Sequence, residues 1–227
     1  MTVVGARSIT MEVPTPKGSL FGDLVLPWNA HSIVAFAHGS GSSRFSPRNR
    51  AVADILVEHG LGTFLVDLLT SSEGERDELT SELRFDIPLI GGRMVTVVDA
   101  LTHHERTGRM PIGLFGASTG AAAALIAAAE RPDAVRAVVS RGGRPDLAAE
   151  ALPRVRAATL FIVGGADEEV LQLNRVALGR MRAPVRDLVV VEGATHLFEE
   201  PGALERVAAL AAAWFVRHLS GRARSAP

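Results

Sequence analysis

The sequence predicts an α/β fold with a mostly parallel central sheet and helices on both of its faces. Short apolar segments alternate with longer segments of helical periodicity from about residue 32 onward. The short segments are apolar on both faces, which is typical of strands in a covered parallel sheet. The chain has 227 residues, of which 47% are hydrophobic, and this length suits one domain. We expect a single domain over residues 1–227, with loose tails at residues 1–6 and 221–227.

The strands follow in order from the N-terminal end. Residues 7–13 and 19–26 are expected to form an antiparallel pair, joined by a turn at Pro16-Lys17-Gly18. Each later strand is a short apolar segment that precedes a helical pattern. These strands are expected at residues 32–37, 62–66, 112–115, 135–139, 159–163 and 187–191.

Helices are expected between the strands. Ser46 caps the first helix, Pro47 occupies its first turn, and Gly60 ends it. Asp86 is a candidate cap for a helix over about residues 85–105. The other helices are expected at residues 121–129, near 146–151, and at 168–181 and 202–219.

The segment Gly116-Ala117-Ser118-Thr119-Gly120 lies between a predicted strand and an alanine-rich helix. That context is the one in which a G-x-S-x-G turn presents a serine hydroxyl above a sheet, with small flanking residues that allow the tight turn. Ser118 is therefore the candidate nucleophile. The alternative is a turn serine that only caps the following helix.

Two further polar residues follow predicted strands, as site residues in such sheets do. Asp167 comes directly after the strand at residues 159–163, and His196 comes directly after the strand at 187–191. The chain order Ser118, Asp167, His196 is that of α/β-hydrolase triads. In this interpretation His196 is the general base, and Asp167 orients the imidazole and stabilises its charged form.

Other residues of these types are weaker candidates. Asp146 is the alternative acid, but Pro145-Asp146 is more typical of a helix start. The other histidines are expected near a helix end, at the opposite edge of the sheet or in the last helix: His103, His104, His31, His59 and His218.

Two backbone N–H groups are expected to stabilise an oxyanion at Ser118. One belongs to Thr119, the residue after the nucleophile, and the other to the loop after residues 32–37. We choose Ser40 in that loop, with Gly39 or Gly41 as alternatives. The same loop begins like a dinucleotide-binding fingerprint, but it has arginine where the last glycine would stand and lacks a P-loop lysine, so nucleotide binding is disfavoured.

The combination resembles the dienelactone hydrolase family of the α/β-hydrolase superfamily over residues 18–219, as a member with a serine nucleophile. The motifs that carry the resemblance are Ala37-His38-Gly39-Ser40-Gly41, Phe64-Leu65-Val66-Asp67, Gly116-Ala117-Ser118-Thr119-Gly120, Gly164-Gly165-Ala166-Asp167 and Gly193-Ala194-Thr195-His196.

The segment Ser46-Pro47-Arg48-Asn49-Arg50 is similar to small bacterial members of this group, some of which are fused to phosphoribosyltransferase domains. Dienelactone hydrolase itself uses a cysteine nucleophile, whereas this chain has Ser118. The resemblance implies an α/β-hydrolase fold. We regard five residues near the expected site as candidate substrate contacts: His38, Gly39, Gly41, Arg44 and Arg141.

Residues 68–89 lie between a strand and its helix, at the same edge as Ser118, and carry many charged side chains. We expect a solvated loop, with a mobile rim that shapes substrate entry as the alternative. The segment is too short for a full cap domain, so an open pocket is expected.

The composition of the chain indicates which binding partners, cofactors and cellular compartment to expect. The formal net charge of −1 gives no electrostatic reason for nucleic acid or anionic membrane binding. With no cysteine, the chain has no disulfides or thiolate metal sites. Residues 1–7 lack the apolar region of a signal peptide, and we expect a cytoplasmic protein. No metal or cofactor is expected, and the chain is expected to be a monomer or homodimer.

These observations predict a serine hydrolase that cleaves small carboxylic esters or lactones through an acyl-enzyme. Two alternatives remain. One is a catalytically weak ligand-binding or scaffold module on the same fold, and the other is a thioesterase or peptidase with the same triad.

Overall fold

The computed structural model describes residues 6–220. Within that range eight strands form one sheet. They are β1 (Ala6–Thr15), β2 (Gly18–Pro27), β3 (Ile33–Ala37), β4 (Gly62–Val66), β5 (Ile112–Ala117), β6 (Val135–Arg141), β7 (Ala158–Gly164) and β8 (Arg186–Val191). The expected loose tails lie outside the described residues, apart from Ala6, at which β1 begins.

The strand order is β1-β2-β4-β3-β5-β6-β7-β8. β1 and β2 are antiparallel to each other, β2 is antiparallel to β4, and every other neighbouring pair is parallel. The prediction of a mostly parallel sheet is confirmed. The chain leaves β3 and β5 in opposite directions along the sheet, which creates a crevice at their carboxyl ends, where ligands bind in sheets of this kind.

Helices cover both faces of the sheet, as predicted. The part of the chain that the structure describes contains α1 (Pro47–Glu58), α2 (Ser71–Thr80), α3 (Ile87–His103), α4 (Thr119–Glu130), α5 (Glu168–Arg180) and α6 (Ala203–Leu219). The apolar residues of α3 and α4 belong to one buried cluster. Those of α1 and α6 belong to a second cluster on the opposite face. No helix among residues 6–220 has the length and apolar character needed to cross a membrane.

Small side chains place α4 directly behind the site. Its sequence is rich in alanine, and nearly all of its residues are buried. A Cβ atom at Gly120 would overlap the backbone carbonyl oxygens of Ala37 and His38, and one at Gly116 would overlap the backbone of Ala121. Glycine at these two positions therefore allows the first turn of α4 to lie against the ends of β3 and β5.

Residues 68–89 are largely exposed, as expected, but the expectation of a loop is wrong. This segment contains α2 and a short 3₁₀ turn, Leu83–Phe85. Thr70 and Glu73 form a reciprocal capping box at the start of α2, in which each side chain accepts a hydrogen bond from the other residue's backbone N–H. The capping box stabilises a helix that has little apolar periodicity of its own. Asp86 caps α3, as expected.

Candidate functional site

Ser118 lies on a strained turn between β5 and α4. Its backbone has φ 51° and ψ −121°, a conformation that costs a residue other than glycine about 1–3 kcal/mol. The turn is held by hydrogen bonds from the Ser118 amide to the Arg141 carbonyl, at 3.2 Å, and from the Arg144 amide to the Ser118 carbonyl, at 3.1 Å. Such strain is often found at functional sites, because surrounding structure must hold the residue in place.

The structure brings together the side chains of Ser118, Asp167 and His196. His196 Nδ1 lies 2.6 Å from Asp167 Oδ2, and His196 Nε2 lies 3.3 Å from Ser118 Oγ. The Asp167 side chain is 15% exposed, whereas that of His196 is 38% exposed. A neutral imidazole that donates from Nδ1 to the carboxylate has an acceptor at Nε2 for the serine hydroxyl proton.

Glycines at strand ends allow the segments carrying these side chains to approach one another. A Cβ at Gly164, the last residue of β7, would overlap the carbonyl oxygens of Ala194 and Thr195. Gly142, directly after β6, has φ 50°, and a Cβ there would lie 3.6 Å from His196 Cε1. The backbone at Gly142 therefore lies close to the imidazole.

Asp146, the alternative acid, has a different partner. Its carboxylate accepts two hydrogen bonds from Arg144, from Nε at 2.9 Å and from Nη2 at 2.8 Å. It lies in the short 3₁₀ helix Pro145–Ala148, as its sequence context suggested. Asp167 is thus the carboxylate that contacts His196.

The two expected oxyanion donors, Ser40 and Thr119, are neighbours in space. The Ser40 amide donates a hydrogen bond to Thr119 Oγ1 at 2.9 Å. Thr119 is the first residue of α4, and N–H groups in the first turn of a helix have no acceptor within the helix. Gly39 lies against the nucleophile, since a Cβ at Gly39 would be 3.1 Å from Ser118 Cβ.

Both ring nitrogens of His38 form hydrogen bonds to the protein backbone. Its Nε2 accepts from the Leu68 amide at 3.2 Å, which places its ring proton on Nδ1, 3.0 Å from the Gly39 carbonyl oxygen. Burial lowers the pKa of His38, although the hydrogen bond to Gly39 and the nearby charge of Asp67 oppose this effect. The ring therefore links the loops after β3 and β4 in its neutral form.

The lowered pKa of His38 predicts acid sensitivity. Because the unfolded chain binds a proton that the folded chain resists, the free energy of unfolding should decrease as pH falls below about 6.5, by up to about 1.4 kcal/mol per pH unit. His218, whose pKa burial also lowers, contributes in the same direction. Urea unfolding of wild type and His38→Gln between pH 7 and 5 tests this prediction. The free energy of unfolding of His38→Gln should depend less steeply on pH than that of wild type. Identical pH dependences would contradict the lowered pKa of His38.

A cavity of about 690 Å³ has both expected oxyanion donors, Ser40 and Thr119, in its wall. The loop after β3, the segment after β4 and α2 form its walls, and Thr119 contributes to them. Residues 68–89 therefore shape this cavity. Among its lining residues are Gly39, Ser40, Arg44, Asp67, Asp77 and Arg84.

Opposite charges in the cavity wall neutralise one another. The Arg44 guanidinium and its backbone amide both bond to the Asp67 carboxylate. Arg84 Nε donates to Asp77 Oδ2 at 2.6 Å. Burial opposes ionisation of Asp77, but the hydrogen bonds from Arg84 and from the Leu83 amide outweigh it and lower the pKa of Asp77. Asp77 is thus ionised at neutral pH.

Of the candidate substrate contacts, four line the cavity: His38, Gly39, Gly41 and Arg44. Arg141 is only 7% exposed and lies at the end of β6. Burial and the nearby positive charge of Arg48 lower the pKa of Arg141 to about 10, so its side chain is still a cation at neutral pH. Its backbone carbonyl accepts the hydrogen bond from the Ser118 amide.

The sequence interpretation missed the Asp77–Arg84 pair in the cavity wall. The two residues are separated by the turn that ends α2, and that helix was itself unpredicted. The T-x-x-E pattern of Thr70 and Glu73 was the signal that marks the start of this helix.

Comparison with solved structures gives a close match along almost the whole chain. The crystal structure of dienelactone hydrolase from Anabaena variabilis is 53% identical, with a TM-score of 0.93, and the match covers 95% of this chain and 99% of that one. The Pyrococcus furiosus esterase (15% identity, TM-score 0.74, 94% of each chain) and carboxyl esterase 2 of Tuber melanosporum (18%, 0.73, 96% of this chain and 89% of that one) share the fold.

Curated relatives are longer than this chain. Two Mycobacterium tuberculosis proteins, provisionally named phosphoribosyl transferases, are 54% identical over 200 residues. The match covers 88% of this chain but 44% of each relative, so the chain spans less than half of their length. No protein-family model matches the chain.

Proposed function

This chain belongs to the dienelactone hydrolase family of the α/β-hydrolases, and we propose that it hydrolyses small carboxylic esters or lactones through an acyl-enzyme on Ser118. The observation that carries the proposal is the hydrogen-bonded series Asp167–His196–Ser118, at 2.6 Å and 3.3 Å. The series lies at the carboxyl edge of the sheet, next to a cavity whose wall includes both expected oxyanion donors.

In the first half of the reaction, Ser118 Oγ attacks the ester carbonyl carbon while His196 Nε2 accepts the hydroxyl proton. The carbonyl oxygen becomes an oxyanion, which the Thr119 amide at the start of α4 stabilises. Collapse of the tetrahedral intermediate breaks the bond to the alcohol, which leaves with the proton held on Nε2. Asp167, bonded to Nδ1, stabilises the imidazolium that forms between these steps.

In the second half, water attacks the acyl-enzyme by the same route. His196 Nε2 removes a proton from the water, the oxyanion forms again at the same place, and Ser118 Oγ leaves with the proton. The products are a carboxylic acid and the regenerated serine. A lactone follows the same steps, except that its alcohol and acid remain in one molecule.

The cavity lining favours short substrates over long aliphatic ones. Apolar side chains such as Phe21 and Leu68 can contact a short acyl group, but hydroxyl groups and the neutralised Arg–Asp pairs line the cavity as well, the hydroxyl groups being those of Ser42, Ser43 and Ser71. A long alkyl chain would desolvate these polar groups without offering hydrogen bonds, which is unfavourable. The substrate side of the cavity should therefore accept short or oxygen-bearing groups.

A chain-length series of p-nitrophenyl esters tests the proposed activity. We expect kcat/KM to be highest for acetyl to butyryl esters and at least about tenfold lower for the decanoyl ester. Each methylene group that finds no apolar contact in the cavity loses a burial free energy of the order of 1 kcal/mol. Ser118→Ala provides the blank for each ester. Equal rates in wild type and this variant, or a preference for the longest chains, would contradict the proposal.

Matched thioesters and amides address the alternative chemistries. The Asp167–His196–Ser118 series can form an acyl-enzyme from a thioester or an amide as well as from an ester. Amine leaving groups need more assistance, so we expect kcat/KM for esters to exceed kcat/KM for amides. The name of the mycobacterial relatives is not proposed for this chain, because the match covers 44% of those proteins. A scaffold role would be favoured if Ser118 reacts with a fluorophosphonate but no ester, thioester or amide is turned over.

A further inference from the structure

The hydroxyl of Thr119 has an unexpected position in the site. Thr119 is 5% exposed, it directly follows Ser118, and it contributes to the cavity wall. Its Oγ1 accepts the hydrogen bond from the Ser40 amide at 2.9 Å. The amide that was expected to reach the oxyanion directly is therefore already bonded to a side chain.

A threonine hydroxyl that accepts a hydrogen bond keeps its own proton for donation. Among residues 6–220, the Thr119 hydroxyl accepts a hydrogen bond from the Ser40 amide and donates none to a protein acceptor. The hydroxyl therefore lies at the loop after β3, and Gly39 of that loop lies against Ser118. The proton is thus free to bond to a group that enters between Ser118 and that loop.

We propose that the Thr119 hydroxyl is itself an oxyanion donor, with the Ser40 amide as the donor behind it. This inference rests on the proposed function. The series runs from the Ser40 N–H to Thr119 Oγ1, and from the Thr119 O–H to the developing negative oxygen. No covalent bond changes in this series, and the proton remains on the hydroxyl. A hydroxyl that accepts one hydrogen bond donates a stronger one, because the two bonds polarise each other.

This arrangement assigns two donors, the amide and the hydroxyl, to one residue at the start of α4. Ser40 becomes a positioning residue, which orients the hydroxyl by its N–H and does not touch the oxyanion. The alternative is that substrate displaces the hydroxyl and bonds to the Ser40 amide. The two arrangements predict opposite effects of removing the hydroxyl: under the first a donor is lost, whereas under the second a competitor of the substrate is lost.

Thr119→Val and Thr119→Ser separate these alternatives, because valine has nearly the same shape and keeps the amide, while serine restores the hydroxyl. With p-nitrophenyl acetate we expect Thr119→Val to lower kcat by about 10- to 10³-fold, the range for loss of one oxyanion donor, with KM within about threefold of wild type. Thr119→Ser should remain within about fivefold of wild-type kcat.

A matched control is available in Thr107, another buried threonine, whose hydroxyl donates to the Leu101 carbonyl at 2.7 Å. Thr107→Val removes a buried hydroxyl far from Ser118, so it should lower the melting temperature and leave kcat unchanged. If Thr119→Val does not fold, Thr119→Ala replaces it, and serine must then exceed alanine in kcat by at least about tenfold.

Wild-type or higher kcat in Thr119→Val, or equal kcat in the serine and alanine variants, would overturn the inference and assign the oxyanion to the Ser40 amide. Failure of the proposed function gives a different result. In that case wild type itself would neither hydrolyse the ester nor form a fluorophosphonate adduct that Ser118→Ala prevents.

Discussion

Replacing Asp167 with asparagine is expected to lower kcat for a short ester by about 10⁴-fold, with little change in KM. Asp167 Oδ2 lies 2.6 Å from His196 Nδ1, so the carboxylate selects the tautomer whose Nε2 accepts the serine proton. An amide that donates its own hydrogen bond favours the opposite tautomer and gives no stabilisation to the imidazolium. Steady-state kinetics with p-nitrophenyl acetate measures the change.

Asp146→Asn is the matched control for that experiment. Asp146 is another acid that follows a strand near the site, but its carboxylate bonds to Arg144 at 2.8 Å and 2.9 Å. The control variant should keep kcat within a fewfold of wild type. If Asp146→Asn lost as much activity as Asp167→Asn, or if Asp167→Asn remained near wild type, the assignment of the acid would be wrong.

Replacing Gly120 with alanine is expected to produce the largest loss of stability. The added Cβ would overlap the carbonyl oxygens of Ala37 and His38, which belong to the backbone and cannot rotate away. The first turn of α4 would have to move from the end of β3, in the tightly packed layer that carries Ser118. We expect a loss of more than about 4 kcal/mol in the free energy of unfolding, seen as a fall of about 10 °C or more in melting temperature.

Gly92→Ala makes the same chemical change without the overlap. Gly92 lies within α3, and no atom lies within 4 Å of a Cβ built there. Because alanine favours helices over glycine by about 1 kcal/mol, this variant should be as stable as wild type or more stable. Similar melting temperatures for the two variants would show that the close contact at Gly120 does not constrain the fold.

The parallel sheet could be predicted because its signals are local. Each buried strand is a short apolar segment, and the Ser118 turn follows one of them with glycines at both ends. The rule that site residues follow strands was then enough to select Asp167 and His196, which the structure brings within hydrogen-bonding distance of each other.

The helix α2 was missed because its sequence carries charge without a repeating apolar face. Its capping box stabilises its first turn, and the Arg93–Glu73 ion pair, at 2.7 Å, holds it to α3. The latter contact joins residues distant in the sequence, so periodicity cannot reveal it. The cavity wall could not be predicted without this helix.

The Ser40–Thr119 hydrogen bond has the same character, since its two residues are 79 positions apart. The sequence predicted that both residues lie near the oxyanion, on the basis of their positions after β3 and after the nucleophile. It contained no signal that one would bond to the other. Whether the Ser40 amide or the Thr119 hydroxyl donates directly to the oxyanion therefore depends on packing between α4 and the loop after β3.

The central claim is that Ser118 is the nucleophile, and covalent labelling tests it most directly. Wild type is incubated with a fluorophosphonate, and the adduct is located by mass spectrometry of the digested protein. We expect one adduct, on the peptide that contains Ser118, and no labelling or ester turnover in Ser118→Ala. Labelling or hydrolysis by Ser118→Ala at the wild-type rate would contradict the claim.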